Sequence, residues 1–323
     1  MAAGITNTSV LAPLPQAMYD RNMRERALPL LLHGLWAQRK PLPQNQGNQV
    51  IFTRFESLPK GTLLAEGVNP EPQLLQRTQV TAQIATYGAY TQITDEVETQ
   101  SPDKVLLEAS DLLGESAGET IDEVYRDELH ATSSVYYGGS LAVATVDTPV
   151  EVNVPPVAAE LDAIILALQD NNAKYITEMV DASTGVGTES INPAFIGITS
   201  PRGGKLISNL TGFTKAKDYA NTQSLIPGEI GTYDFIRVCV TTQAQVLTGA
   251  GAGAKNIHTL LVLAKNAYGI VELSGKALEN IVHDKSDGTG GPLNMYGTSG
   301  WKAMTTAKVL NDNFMYRYLF TLT

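Results

Sequence analysis

The sequence predicts an α+β protein in which strands flank one unusually long helix and a compact α/β unit follows. Three observations carry this expectation. A helical apolar repeat persists over residues 102–131, close to 30 residues or about 45 Å at 1.5 Å per residue. The segments 49–55 and 78–94 are rich in β-branched and aromatic residues, as strands are. From 157 to 272 short helical and strand patterns alternate.

Taken in order, residues 1–47 are first polar, then briefly helical in "MYDRNMRERALPLLLHGLWAQ", then loop-like in "RKPLPQNQGN". They predict an arm rather than a domain. "QVIFTRF" (49–55) and "TQVTAQIATYGAYTQIT" (78–94) are expected to pair as a long hairpin. The span between them is punctuated by Pro59, Gly61, Gly67, Pro70 and Pro72, with few apolar residues expected at its tip. The long helix opens with Ser101 at the N-cap, Pro102 at the first helical position and Asp103 at the positive end of the dipole. Leu106, Ala109, Leu113, Ala117, Ile121 and Val124 share its apolar face. After "VEVNVPP", residues 157–168 place Val157, Leu161, Ile164, Ile165 and Leu168 on one helical face. Then come a strand "AFIGITS", a helix "GGKLISNL", and strands "YDFIRVCVTT" and "HTLLVLAKNAYGIVEL". "GAGAGA" (249–254) reads as a loop, and β character resumes in "WKAMTTAKVL" and "FMYRYLFTL".

The 323 residues suggest about two domains with ample chain for a core. No apolar run reaches the roughly 18 residues of a membrane span. The N-terminal stretch has no basic start followed by an apolar run, so a signal peptide is not expected. Cys239 stands alone, which leaves no internal disulfide and fits a reducing compartment, where the Asn209 sequon would be idle. The net charge of −10, without a basic stripe, argues against tight nucleic-acid binding.

Candidate chemistry concentrates on the long helix. Asp127 and His130 have the carboxylate-x-x-His spacing of helical di-metal sites, and Glu108, Asp111, Glu115, Glu119 and Asp122 lie upstream. Such sites need a second motif of this kind from another helix, and the chain has none. On a helical wheel the five acids lie opposite the apolar stripe, which predicts a solvated or intersubunit face rather than a metal centre. "GAGAGAKN" lacks the Gly-Lys-Ser/Thr of a phosphate loop. His33, His258 and His283 have no metal-ligand spacing, Cys239 alternates with Val238 and Val240 as a small buried residue would, and no G-x-S-x-G elbow occurs. No catalytic residue, cofactor or metal is therefore expected.

Seven stretches give a more specific reading: "RERALP" (24–29), "EASDLLGESAG" (108–118), "NNAK" (171–174), "GEIGTYDFIRV" (228–238), "AYGIVEL" (267–273), "GPLNMYGTSGWKA" (291–303) and "LNDNFMYR" (310–317). In order and spacing the chain resembles the major capsid proteins of tailed bacteriophages, of the phage N4-like family with the HK97-type fold. The resemblance implies a shell subunit enclosing a double-stranded DNA genome, without enzyme activity. It implies an N-terminal arm (1–47), an extended E-loop hairpin with its flanking strands (48–94), and a peripheral domain (95–156) with a spine helix at about 102–131. An axial domain (157–272) and C-terminal strands returning to the peripheral domain (273–323) complete it. Implied partners are the chain itself, in hexamers and pentamers, a separate scaffolding protein, a portal and a decoration protein. DNA would be a non-specific neighbour, and no membrane is involved. The place implied is the virion capsid, assembled in the host bacterial cytoplasm. The lysine–asparagine cross-link of some relatives matches no position here. Candidate assembly residues are Leu11 and Leu14 in the arm, Arg54, Glu56, Lys60 and Glu66 in the hairpin, and Glu108, Asp111, Glu115, Glu119 and Asp122 on the helix. The alternatives from the residues alone are a carboxylate metalloenzyme and a soluble phage or host binding module.

Overall fold

The computed structural model describes residues 32–56, 58–61, 63, 72–100, 105–140, 147–178, 192–219, 225–283, 293 and 295–322. Leu11, Leu14, Glu66 and the expected N-cap at Ser101 lie outside them. The strands are β1 (Gln38–Leu42), β2 (Gln49–Phe55), β3 (Arg77–Gln83), β4 (Ala85–Thr94), β5 (Val135–Tyr137), β6 (Phe195–Thr199), β7 (Phe213–Lys215), β8 (Glu229–Tyr233), β9 (Ile236–Val240), β10 (Val246–Leu247), β11 (Ile257–Leu263), β12 (Tyr268–Leu273), β13 (Glu279–His283), β14 (Tyr296–Val309) and β15 (Met315–Thr321). The α-helices are α1 (Asp95–Gln100), α2 (Val105–His130), α3 (Ala158–Asp170) and α4 (Pro201–Ile207).

Helix α2 is the long helix of the sequence reading. Its buried stripe, Ala117, Ile121, Tyr125 and Leu129, climbs by fours and packs on Trp301, Ala303 and Ala307 of β14 and on Tyr268 and Ile270 of β12. Full burial of one such large apolar side chain stabilises by about 1.5–3 kcal/mol. The long strand β14 organises the sheet beneath, pairing on one edge with β4 and on the other with β13 and then β12; β1 runs parallel to β12. A second, eight-stranded sheet has the order β5-β15-β11-β6-β9-β8-β7, with β10 on β11. Helices α3 and α4 cover one of its faces through Leu161, Ile164, Ile165, Leu168 and Ile207. Its other face, with Ile196, Ile198, Cys239 and Leu261, shares the core of α2. One continuous core thus joins both sheets.

Several local expectations are corrected. The described part of the expected helical stretch, residues 32–37, is turn and bend rather than helix; residues 39–42, read as loop, form β1 together with Gln38, and Leu42 is buried among Val50, Phe52, Ala82 and Val271. The stretch 78–94 breaks at Ile84 into two strands, β3 pairing with β2 and β4 with β14. "HTLLVLAKNAYGIVEL" is also two strands, and they belong to different sheets. Asn266, at φ 62°, makes the turn between them, a backbone region Asn tolerates better than most residues. Similarly, the strand expected over "YDFIRVCVTT" is confined to β9, and Asp234 at φ 46° turns the chain between it and the antiparallel β8 that precedes it. The final strand β15 lies in the larger sheet, between β5 and β11. Val157 caps α3 instead of sharing its buried face. The glycine-rich stretch 249–254 is tied down, with Gly251 N–H bonded to Lys255 O and Ala252 N–H to Val152 O.

Candidate functional site

Asp122 overturns part of the wheel reading. It is fully buried, its Oδ1 accepting from the His33 backbone N–H at 2.8 Å and its Oδ2 lying 2.7 Å from His33 Nδ1. Tyr268 Oη donates to the His33 carbonyl at 2.5 Å. The side of α2 that the wheel left to solvent is covered here by the segment at 32–34. Asp127 and His130 do not act together. Asp127 is exposed and accepts from Arg126, whereas His130 is buried with its Nδ1 unpartnered and its carbonyl bonded by Arg317. Burial, then the charges of His33, Arg317 and Arg126, holds the His130 ring well below the ordinary histidine value of 6.5. Among the described residues no three His, Cys, Asp or Glu side chains gather as a metal site would require.

Other buried polar groups are structural in the same sense. Ser200 Oγ lies 2.6 Å from His258 Nδ1, a nucleophile-and-base distance. Yet both residues are buried, and the serine also caps α4 by accepting from Gly203 N–H. No carboxylate orients the imidazole among the described bonds, so the pair lacks the third member of a triad. Glu229 takes two bonds from Arg237, one from Tyr219 Oη and one from Ile226 N–H, pinning both ends of the segment 219–226. Glu160 joins Tyr318 Oη at 2.5 Å to the Gly139 N–H at 2.6 Å. Cys239 is enclosed, and burial pushes its thiol up to about 12, far from the thiolate a nucleophile needs.

What remains open is surface. Glu108 and Glu119 are exposed on α2, Asp111 and Glu115 are half-buried, and Leu112 stands exposed between them. Arg54, Glu56 and Lys60 are exposed along the hairpin. Arg54 reaches the Leu310 carbonyl at 3.5 Å, and Glu56 accepts from Thr78 Oγ1 at 2.9 Å. The expectation of an apolar-poor hairpin end is wrong. Phe55, Leu58, Leu63, Leu74 and Leu75 all project uncovered, Phe55 at 64% and Leu74 at 84% exposure. The leucines were visible in the sequence, but the prolines and glycines between them drew the reading. A groove of about 550 Å³ runs over β4, β13 and β14, lined by Tyr87, Tyr90, Tyr296 and Trp301.

Comparison with known proteins gives this surface a context. A family model described as phage capsid protein matches residues 77–273. The fold is similar to the capsid of Ralstonia phage GP4, with a TM-score of 0.66 at 12% identity, covering 88% of this chain and 87% of that one. It is also similar to a chain of the cyanophage Pam1 capsid (TM-score 0.59, 14% identity, 93% and 92% covered). A chain from the head of Helicobacter pylori bacteriophage KHP40 matches as well (0.59, 11%, 90% and 88%). No curated protein matches the sequence.

Proposed function

Because the chain belongs to the phage capsid protein family, we infer that the apolar surface it leaves uncovered is the contact surface of a closed shell of like subunits. It is a structural protein with an HK97-type fold that forms the virion capsid, not an enzyme. The hairpin is the observation that carries the contact reading. Strands β2 and β3 pair over seven residues; their buried apolar residues, Val50, Phe52 and Ala82, lie toward the base, while Arg54 and Phe55 at the far end are exposed, Arg54 touching the body through the Leu310 carbonyl. A two-stranded hairpin is marginal in water by itself, and this one ends in leucines that contact with a neighbour would bury.

In this reading residues 48–94 act as the E-loop hairpin with its flanking strands, and 95–156, with α2 as spine, as the peripheral domain. Residues 157–272 form the axial domain and 1–47 the arm; strands in 273–323 serve both sheets, since β15 lies in the larger one. Arg54, Glu56, Lys60, Glu66, Leu11, Leu14 and the outer acids of α2 are assigned to subunit contacts. Asp122 is removed from that set by its burial. The seven sequence stretches support placement among the N4-like tailed phages, with hexamers and pentamers as capsomers. They also support a separate scaffolding protein, a portal and a decoration protein as partners, and assembly in the host cytoplasm around non-specifically held DNA. Size-exclusion chromatography followed by cryo-EM of the purified chain tests the reading. Capsomers or megadalton shells are the expected result, and a strictly monomeric species at all concentrations would overturn it.

A further inference from the structure

The larger sheet carries a second pair of surfaces that fit each other. On one flank, Lys205 of α4, Lys215 of β7 and the neighbouring Lys217 surround a cavity of about 460 Å³. Its floor includes Gly204, Ile230 and Val240. All three lysines are exposed, and none forms an ion pair among the described residues. Asp218 follows Lys217 without bridging to it, and residues 220–224 (ANTQS) bring no carboxylate. Three lysines with no ion pair among the described residues thus line one concave site in a chain of net charge −10.

The complementary surface lies on α3. Asp162, Leu166 and Asp170 are exposed at four-residue spacing, so they form a line with steps of about 6 Å. Leu166, at 59% exposure, stands between two acids, and Asp234 lies beside Asp162 and adds to the field there. An apolar knob flanked by carboxylates matches an apolar floor flanked by ammonium groups. Helix α3 buries Leu161, Ile164, Ile165 and Leu168 in the sheet, so Leu166 and Asp170 face away from the subunit's own core, while the exposed Asp162 accepts from Tyr233 Oη at 3.0 Å through Oδ1.

We propose that the α3 stripe Asp162–Leu166–Asp170 of one copy docks in the lysine-ringed pocket of the next copy. This rests on the shell-subunit reading and specifies one of its contacts. The two surfaces differ, so the contact is heterologous, and repetition of a heterologous contact closes rings when the rotation permits. Charge complementarity sets orientation and encounter rate, and the leucine supplies burial. The apolar floor favours a protein stripe over a phosphodiester backbone, which would leave Ile230 and Val240 without a partner.

Charge exchange tests it. Lys215→Glu/Lys217→Glu and Asp162→Lys/Asp170→Lys each place like charges together and should cut the yield of particles about tenfold or more, while the combined variant restores it. Melting temperatures establish that each variant is folded. Should a reversal unfold the subunit, Lys215→Gln/Lys217→Gln is read instead as slowed assembly at low salt. Normal assembly of the lysine variant would overturn the proposal while leaving the capsid function intact. So would a folded combined variant that fails to assemble, or rescue by Glu108→Lys/Glu119→Lys in place of the α3 reversal. Retention of the parent on a DNA column, lost in the lysine variant, would reassign the pocket to phosphate and overturn it as well. Failure of the parent to assemble at all would defeat the shell reading itself, and the docking with it.

Discussion

His33 and Asp122 are 89 positions apart, and their contact decides how the segment after the arm is held. A carboxylate taken out of water needs its bonds in full, and here it has a backbone N–H and an imidazole. Asp122→Ala would leave the His33 N–H and ring buried without partners. The expected cost is about 3–5 kcal/mol, the range for breaking a buried pair. Glu108→Ala, on an exposed stretch of the same helix, should change stability by less than about 0.5 kcal/mol. Urea unfolding of both variants measures the contrast, and equal small effects would mean that the pair is dispensable. His130 gives a pH dependence of definite sign. Its folded pKa lies below 6.5 because burial disfavours the imidazolium. The unfolded chain therefore binds more protons than the folded one once pH falls below about 6.5, and stability drops with each step toward the folded value. His258, also lowered by burial and then by Arg202, adds in the same direction. In thermal melts from pH 8 to pH 5, His130→Phe should show a shallower acid decline than the parent. An unchanged slope would remove His130 as a source.

At the scale of elements, the hairpin separates folding from assembly. Beyond Phe55 and Arg77 it contributes no buried apolar residue to the described core. Replacing 57–75 with a short Gly/Ser turn should leave a cooperative subunit, with a melting temperature within a few degrees of the parent, that does not close shells. Particles of normal size from that variant, or an unfolded subunit, would refute this division. The hairpin base is another matter. A Cβ at Gly269 would lie 2.7 Å from the Phe52 ring, so glycine is what lets the hairpin seat on β12. These elements also mark what the sequence could tell. Long α2 and α3 were legible because their repeats are local and their buried faces match 3.6-residue spacing. The cover over Asp122 was not, because it comes from residues 32–34, and a helical wheel carries no information about distant chain. Strand β1 was missed for a related reason. "QRKPL" has no alternating apolar pattern, and only its pairing with β12, more than 200 residues later, makes it a strand. Among the candidate sites, the exposed acids of α2 were legible, whereas the lysine pocket is assembled from α4 and β7 and has no contiguous signature.

The molecule as a whole is bound together by crossing connections. β12 leaves the larger sheet's neighbourhood for the smaller sheet, and β15 returns, so neither sheet is a contiguous piece of chain. The acidic net charge acts at this scale too. With a Debye length of about 8 Å in physiological salt, a wall of this composition repels only the DNA layer nearest it. Free subunits should accordingly pass through a DNA column in 0.15 M salt, and salt-reversible retention would contradict that. The return of β15 leads to the sharpest whole-molecule expectation. This strand is bonded along both edges, to β11 on one side and β5 on the other. Tyr318, Leu319 and Phe320 are fully enclosed, with Tyr318 and Phe320 in the core beneath α3 and Leu319 against Val152 and Ile257. Its removal would uncover three large apolar residues' worth of contact, open two strand edges inside the sheet and strip Glu160 of its Tyr318 bond. Losses of about 3–5 kcal/mol accompany deletion of even one buried aromatic, and total stability is only about 5–15 kcal/mol. A chain stopped after Leu310 should therefore fail to fold, even though the hairpin variant, with a deletion of greater length, folds. Limited proteolysis and near-ultraviolet circular dichroism of the two truncations side by side decide the matter. A protease-resistant, natively packed subunit lacking 311–323 would show that the larger sheet closes without its returning strand.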